Sequence, residues 1–184
     1  MNSSLLAISP LDGRYHSKVD YLSQYFSEAA LMRYRILVEV EWFVFMFNDL
    51  KLKNTVELKP TELRLLRSIY EQFDITDAAR VKEIEKTTNH DVKAIEYFLK
   101  EKLKGGPIER YFEFIHFACT SEDINNLSYA CMIRDFLERE LIPVCSGLIQ
   151  EIHSMALENK SLAMMSRTHG QPASPTTLGK ELVN

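Results

Sequence analysis

The chain has 184 residues, of which 46% are hydrophobic and 26% are charged, and its formal net charge is −4 at pH 7. This length is enough for one or two domains with a hydrophobic core, and six glycines and six prolines are too few for a collagen-like or low-complexity chain. The negative net charge argues against a nucleic-acid partner, since nucleic-acid binding usually requires a basic surface.

The cysteines and the first residues bear on the location of the protein. Cys119, Cys131 and Cys145 are odd in number and lack C-x-x-C spacing, so the sequence predicts neither a zinc site nor a complete disulfide framework. Residues 1–12 lack a basic segment followed by an apolar run, and the most apolar stretch, residues 42–47, is much shorter than the roughly 20 residues that span a bilayer. We therefore expect a cytoplasmic protein with reduced thiols and no membrane partner.

Helical periodicity is the main pattern along the chain. Between Leu22 and Phe47, apolar side chains return every three or four residues, which places them on one face of a helix. A second helix is expected to begin at Pro60, because proline is tolerated in the first turn, and a short third helix is expected after Thr76. No stretch alternates apolar and polar residues for long enough to predict a strand. The sequence therefore predicts an all-α fold.

Two capping boxes and a glycine pair divide the middle of the chain. Residues 88–91 and 120–123 have the S/T-x-x-D/E pattern, which predicts that Thr88 and Thr120 each begin a helix. Residues 105–107, Gly-Gly-Pro, are expected to end the helix between them. We therefore expect a small helical amino-terminal domain over 1–107 and the incomplete beginning of a long-helix bundle over 108–184.

The last third of the chain combines a long apolar stripe with a polar segment. The stripe over residues 124–152 is longer than one ordinary helix, and Pro143 is expected to kink or split it by removing a backbone donor. Residues 167–172 have the composition of a loop, and Ser174 followed by proline predicts the start of another helix. The chain ends at Asn184 without a helix-stop signal, which suggests a fragment.

Four short stretches concentrate polar, imidazole and guanidinium groups outside the apolar stripes: residues 12–15, 88–91, 120–123 and 167–171. Two of them open predicted helices, where unpaired backbone N–H groups and the helix dipole favour binding of carboxylate or phosphate. The alternative is that each threonine only caps its helix. The P-loop, dinucleotide, zinc-protease and nucleophile-elbow motifs do not occur in the sequence.

Two histidines are candidates for proton transfer. His169 lies between a threonine and a glycine, and its imidazole can donate or accept a proton near neutral pH, with an unperturbed pKa of about 6.5. His90 lies in a comparable polar stretch. The alternative is an exposed loop side chain without chemistry. His116, within an aromatic and apolar segment, is more simply a packed histidine.

Longer segments around the polar stretches carry a family resemblance. They are residues 9–15 (SPLDGRY), 88–94 (TNHDVKA), 116–126 (HFACTSEDINN) and 167–177 (RTHGQPASPTT). Together they resemble the adenylosuccinate lyase branch of the fumarase/aspartase superfamily, in its bacterial long form. One segment would be a weak match, but four in this order are specific, and they span the whole chain.

This resemblance implies a fold, an assembly and a reaction. It implies an almost wholly helical subunit in a homotetramer, with each active site built from residues of three subunits. The implied reaction is β-elimination, in which fumarate leaves adenylosuccinate to give AMP. Fumarate also leaves the succinylocarboxamide intermediate of purine synthesis, SAICAR, to give AICAR. The resemblance implies no metal and no organic cofactor.

The resemblance also implies roles for individual residues. His169 resembles the general acid that protonates the departing purine amine. Fixed donors at a helix start can stabilise the charge that elimination builds on a carboxylate. The implied substrate-binding residues are Arg14 and Tyr15 for the nucleotide, Asn89, His90 and Asp91 in a second segment, Thr120 and Ser121 for the succinyl carboxylate, and Thr168 and Gln171 beside the acid.

The catalytic base is the missing part of this pattern. The family's loop S-S-x-M-P-x-K-x-N-P, which carries the serine that removes the Cβ proton, is not found and is expected beyond Asn184. The chain by itself is therefore predicted to be inactive. Two alternatives stay open: another fumarate-releasing lyase of the superfamily, and a non-enzymatic helical interaction module whose polar stretches are only caps.

Overall fold

The computed structural model describes residues 6–53 and 55–184, and helix predominates among them. The α-helices are α1 (His16–Val19), α2 (Ser23–Phe26), α3 (Glu28–Asn48), α4 (Pro60–Glu71), α5 (Ile75–Thr88), α6 (Asp91–Leu103), α7 (Ser121–Phe136), α8 (Ile142–Glu158) and α9 (Leu178–Val183). Short 3-10 helices cover Asp20–Leu22 and Glu109–Phe114, and a π-helical segment covers Leu137–Leu141. Strands β1 (Ala163–Thr168) and β2 (Gln171–Thr177) form an antiparallel pair. The all-α prediction is correct for most of the chain, but it missed this strand pair.

The chain divides into two compact units, Met1–Arg134 and Asp135–Asn184. The predicted boundary after residue 107 lies inside the first unit, where Ile108 is 0% exposed and shares a core with Leu103 and Ile115. Apolar side chains on both sides of the glycine pair therefore contribute to one core. The predicted division into domains at residue 107 stays a prediction about the whole protein.

Helix α3 is the centre of the first unit. It begins after Ser27, whose hydroxyl accepts a hydrogen bond from the Ala30 backbone N–H at 3.1 Å and so caps the helix. Its buried side chains share a core with those of α4, α5 and α6, including Ile36, Val40, Phe47, Leu66, Val81 and Phe98. Full burial of one such side chain contributes about 1.5–3 kcal/mol. The predicted apolar positions Ile36, Val40 and Phe47 are buried as expected. The prediction of one helical stripe from Leu22 is wrong in its first part, because Ser27 is extended and α3 begins only at Glu28, and Phe26 is 47% exposed.

The next two helices begin where local chemistry predicts. Helix α4 begins at Pro60, as expected from proline at the first helical position. Helix α5 begins at Ile75, because the Asp74 carboxylate accepts hydrogen bonds from the backbone N–H groups of Thr76 and Asp77, at 2.8 and 3.0 Å. The helix predicted after Thr76 is thus confirmed.

Thr88 ends a helix, and the prediction that it begins one is wrong. Helix α5 continues to Thr88, and Asn89 follows with φ 52°, ψ 31°, the left-handed conformation that often ends helices. The cap of α6 is His90, whose Nδ1 atom accepts a hydrogen bond from the Lys93 backbone N–H at 3.2 Å. The capping group therefore lies two residues further along the chain than the S/T-x-x-D/E pattern predicts.

The second unit contains α8, the strand pair and α9. Pro143 lies in the first turn of α8, directly after the π-helical segment Leu137–Leu141. The α-helical hydrogen bonding is thus interrupted before Pro143, whereas the backbone stays helical at Leu141 and Ile142, so the predicted kink or split stays a prediction. Within residues 6–53 and 55–184, no helix is both long enough and apolar enough to cross a membrane.

A β-hairpin replaces the predicted loop and helix start near the end of the chain. Thr168 pairs with Gln171, and the intervening His169 and Gly170 have φ values of 50° and 77°. Two positive φ angles in a two-residue turn are typical of the type I′ turn, which joins antiparallel strands. Ser174 and Pro175 lie within β2, and α9 begins later, after Thr177. Proline is tolerated in β2 because a two-stranded sheet has only edge strands.

Candidate functional site

The starts of α6 and α7 lie side by side in the first unit. The Nε2 atom of His90 is 3.4 Å from the Oγ atom of Ser121. Because Nδ1 of His90 accepts the Lys93 backbone N–H, the hydrogen-bond pattern assigns the ring proton to Nε2, which then donates toward Ser121. We call His90, Ser121 and the two helix starts the α6–α7 site.

Thr120 caps α7, as predicted. Its hydroxyl accepts a hydrogen bond from the Asp123 backbone N–H at 3.3 Å, and its own backbone N–H donates to Asp123 Oδ2 at 2.7 Å. The hydrogen bond from the Thr120 backbone N–H lowers the pKa of the Asp123 carboxyl, and the Thr120 hydroxyl adds to this effect. The Thr120 side chain is thus engaged in capping, whereas the Ser121 hydroxyl faces His90.

Asp91 is held by the protein itself. Its Oδ1 accepts the Val92 backbone N–H at 2.9 Å, and its Oδ2 accepts a 2.6 Å hydrogen bond from Nη2 of Arg35 on α3. Burial alone would raise the pKa of the Asp91 carboxyl, but the Val92 N–H and the Arg35 guanidinium together lower it. Both carboxylate oxygens therefore have protein partners, and Asp91 anchors the start of α6.

Arg35 and Asn125 are parts of this site that the sequence analysis did not single out. Nε of Arg35 donates to Oδ1 of Asn125 at 2.9 Å, in addition to the contact with Asp91. A signal was present in the sequence, because Arg35 lies between Tyr34 and Ile36 in a segment rich in apolar residues. The structure buries both of these neighbours. Charged side chains are rarely buried unless they have a partner.

His116 pairs with a buried carboxylate on α3. Its Nδ1 lies 2.6 Å from Oε1 of Glu39, and the Glu39 side chain is 0% exposed. The hydrogen bond with Glu39 raises the pKa of His116. The prediction that His116 is a packed histidine is confirmed, and its ion pair lies next to the segment that leads into α7.

The other predicted residues of the first unit occupy loops. Asn89 supplies the left-handed turn between α5 and α6, directly before His90. Arg14 and Tyr15 precede α1, with the Arg14 guanidinium carbon 5.3 Å from the centre of the Tyr15 ring. Among the described residues, Arg14 and Tyr15 thus contact each other.

His169, Thr168 and Gln171 lie together in the second unit. His169 and Gly170 form the tip of the hairpin, and Thr168 and Gln171 form the strand pair that closes it. All three side chains are exposed. The short turn therefore presents the imidazole outward on a two-stranded support, where it can reach a group that is not part of the hairpin.

The α6–α7 site has the properties of an anion site. The positive ends of two helix dipoles, an imidazole and a hydroxyl meet there, and such groups favour a carboxylate or phosphate. The backbone N–H groups of Val92, Lys93 and Asp123 already have side-chain acceptors within the protein. Among the residues that the structure describes, no group of three or more His, Cys, Asp or Glu side chains is placed to hold a metal ion.

Residues 13–184 match the profile of a protein family described as lyase. The chain therefore belongs to this lyase family. It is 49% identical over 183 residues to the adenylosuccinate lyase of Haemophilus influenzae, and 47% identical over 183 residues to that of Escherichia coli strain K12. Each match covers 99% of this chain and 40% of the relative, so the chain spans about two fifths of the length of these relatives.

Solved structures of two other proteins share the fold. One is a fumarate lyase from Mesorhizobium sp. BNC1, with a TM-score of 0.67 and 16% identity over 89% of this chain and 36% of that chain. The other is the β-carboxy-cis,cis-muconate cycloisomerase of Acinetobacter calcoaceticus, with a TM-score of 0.60 and 20% identity over the same 89% and 36%. At this level of identity, the similarity establishes the fold alone.

Proposed function

We propose that the whole protein to which this chain belongs is an adenylosuccinate lyase. It would release fumarate from adenylosuccinate to leave AMP, and from SAICAR to leave AICAR. The observation that carries the proposal is the 49% identity, over 99% of this chain, to the adenylosuccinate lyase of Haemophilus influenzae. The α6–α7 site supports it, because adenylosuccinate carries carboxylate and phosphate groups that such a site favours.

The proposed elimination needs a base, a site for negative charge and an acid. A base removes the Cβ proton, the C–H electrons form the carbon–carbon double bond of fumarate, and the C–N bond breaks toward nitrogen. His169 donates a proton to that nitrogen, while Ser121 and the start of α7 bind the succinyl carboxylate on which charge builds up. The base is assigned to a part of the protein outside this chain.

The remaining predicted residues either contact the substrate or hold the helix starts in place. Arg14, Tyr15, Asn89 and His90 are proposed to contact the nucleotide or its succinyl group, and Thr168 and Gln171 to contact substrate beside His169. The hydrogen bonds of Asp91 and Thr120 favour a supporting role, since both side chains are engaged in holding the starts of α6 and α7. No cofactor is included in this proposal.

A homotetramer with active sites shared between subunits is part of the proposal. Large apolar side chains on α8 are exposed, including Val144 at 70%, Leu148 at 60% and Ile149 at 66%. Soluble monomers seldom expose such continuous apolar surface, so this helix is suited to contact other subunits. The free cysteines Cys119, Cys131 and Cys145 support a cytoplasmic location, where thiols stay reduced.

A substrate panel tests the proposal against its alternatives. The full-length protein would be purified and assayed for fumarate release from adenylosuccinate, SAICAR, argininosuccinate, aspartate and malate. We expect turnover with the first two alone. Turnover only with another substrate would assign the protein to a different fumarate-releasing lyase. No turnover with any of them, together with no binding of AMP or fumarate, would favour the non-enzymatic module.

A further inference from the structure

Arg35 is a buried cation at the centre of the first unit. Its side chain is 7% exposed, and its neighbours in sequence, Tyr34 and Ile36, are 1% and 0% exposed. Removing a guanidinium from water is costly unless its N–H groups find partners. Arg35 therefore needs the two acceptors that the fold supplies, Asp91 and Asn125.

These acceptors belong to two different helices. Asp91 is the first residue of α6, and Asn125 lies in the first turns of α7. Arg35 donates to Asp91 from Nη2 at 2.6 Å and to Asn125 from Nε at 2.9 Å. Because the guanidinium is planar and rigid, two donors of one group fix the separation and direction of both acceptors. We call this pair of hydrogen bonds the Arg35 bridge.

The anchored residues are direct neighbours of the α6–α7 site. His90 precedes Asp91 in sequence, and Ser121 lies four residues before Asn125, which places both on one face of α7. The Arg35 bridge therefore ties the backbone that carries His90 to the helix face that carries Ser121. The 3.4 Å distance between His90 Nε2 and Ser121 Oγ spans the same two helix starts.

An apolar contact holds the same three helices together beside the bridge. Val38 of α3, Val92 of α6 and Ile124 of α7 form a small buried cluster, with exposures of 6%, 0% and 1%. This cluster holds the three helices in contact but does not fix their relative orientation, because apolar contacts are not directional and hydrogen bonds are. The helices should thus remain packed without Arg35, although the relative position of their first residues would be less defined.

We infer that Arg35 is a positioning residue for substrate binding, which holds His90 and Ser121 at the separation needed to bind one anionic group together. The identity of that group as the succinyl carboxylate rests on the proposed function. Arg35 acts through Asp91 and Asn125, and it does not itself contact substrate.

The test compares three variants of the full-length enzyme. Arg35→Met removes every N–H donor of the side chain and replaces it with an unbranched apolar side chain. Arg35→Lys retains the positive charge but cannot reproduce the two donors that the planar guanidinium holds in a fixed geometry. Arg67→Met is the matched control, because the hydrogen-bond partner of Arg67 on α4 is Glu41 of α3, at 2.8 Å, and not a residue that anchors the start of α6 or α7. Thermal midpoints and the KM and kcat for fumarate release from adenylosuccinate would be measured for each, together with crystal structures.

The expected result is a loss of binding that the control does not share. Arg35→Met should raise KM by about 10- to 100-fold, because displacement of His90 or Ser121 would cost one hydrogen bond to the charged group of the substrate. Arg35→Lys should recover part of this loss. The crystal structure of the Arg35→Met enzyme should show a longer distance from His90 Nε2 to Ser121 Oγ than that of the parent. Arg67→Met should keep KM within about twofold of the parent even if its thermal midpoint falls.

Two results would overturn the inference. One is an Arg35→Met enzyme with an unchanged KM and an unchanged His90–Ser121 distance, and the other is an equal rise of KM in Arg67→Met. If Arg35→Met does not fold, Asn125→Leu removes one of the two contacts, and an unchanged KM in that variant would also overturn it. The crystallographic distance needs no substrate, so failure of the parent to release fumarate would contradict the proposed function alone.

Discussion

Nε2 of His90 lies 3.4 Å from Oγ of Ser121, across the starts of α6 and α7. These residues come from two of the four polar stretches, and the fold of the first unit brings them together. A ligand oxygen that replaces Ser121 Oγ as the acceptor of the imidazole N–H would have two neighbouring donors, this N–H and the Ser121 hydroxyl, at the positive ends of two helix dipoles. The first prediction follows from this pair.

Replacing Ser121 with alanine in the full-length enzyme should lower kcat/KM for adenylosuccinate by about 10- to 100-fold, the loss expected for one hydrogen bond to a charged group. Ser68→Ala is the control, since the Ser68 hydroxyl donates to the Leu65 carbonyl of its own helix at 2.7 Å. Steady-state kinetics measure both variants. Equal kcat/KM values for the two would contradict the role of Ser121.

His169 should matter for turnover more than for binding. His169→Asn should reduce kcat by about 10²- to 10⁴-fold, the usual contribution of general acid catalysis, while adenylosuccinate still binds. Asparagine is the appropriate replacement because it tolerates the positive φ of 50° at the hairpin tip. Single-turnover kinetics and calorimetry separate the two effects. A loss confined to affinity would assign His169 to binding instead.

The His116–Glu39 pair should make stability depend on pH. The hydrogen bond that His116 Nδ1 donates to Glu39 raises the pKa of His116. The charge of Glu96 raises this pKa further, and the charge of Lys93 lowers it. A raised pKa means that the pair contributes fully below the ordinary histidine value of about 6.5, and that this contribution is lost as pH rises through the raised value. The thermal midpoint of Glu39→Gln should therefore fall below that of the parent more at about pH 6 than at about pH 9.

Glu41→Gln provides the control for this pH dependence. Glu41 is on the same helix but pairs with Arg67, which stays protonated over the whole range. Its effect on the thermal midpoint should be nearly constant between the two pH values. A Glu39→Gln effect that is equally constant would show that the charge of His116 does not stabilise the fold.

Gly179 allows α9 to approach the end of α8 closely. A Cβ atom at this position would lie 2.3 Å from the Ala156 carbonyl oxygen and 2.6 Å from Cα of Lys160, both of which are backbone atoms. Gly179→Ala should therefore destabilise the second unit by about 1–3 kcal/mol. Gly147→Ala, where a Cβ meets no atom within 4 Å, should be neutral or stabilising in urea unfolding of the 184-residue chain. Equal midpoints for the two variants would contradict the close approach.

The 184-residue chain alone should not catalyse the reaction. Under the proposed function the catalytic base lies in a part of the protein outside this chain, and an acid without a base cannot complete the elimination. The exposed apolar side chains of α8 should make it self-associate, which sedimentation would detect. Sustained fumarate release that disappears in the His169→Asn variant would place the base within these residues.

Much of the local structure can be predicted from the sequence. The buried apolar positions of α3 and the proline start of α4 follow from periodicity and from proline chemistry, which act over one or two helical turns. Two of the predictions that failed did so for local reasons. Asn89 adopts a left-handed conformation that moves the cap from Thr88 to His90, and a two-residue turn pairs β1 with β2 where a loop was expected.

The sequence by itself determined the helical periods and the four polar segments that carry the family resemblance. Only the tertiary structure decided which polar groups meet. His90 and Ser121 are 31 residues apart, and Arg35 and Asn125 are 90 residues apart, so their contacts depend on how α3, α6 and α7 pack. Periodicity predicts which face of a helix is buried. Periodicity does not predict which side chains of other helices will contact this buried face. Those contacts are decided by side-chain shape and hydrogen-bond geometry across the core.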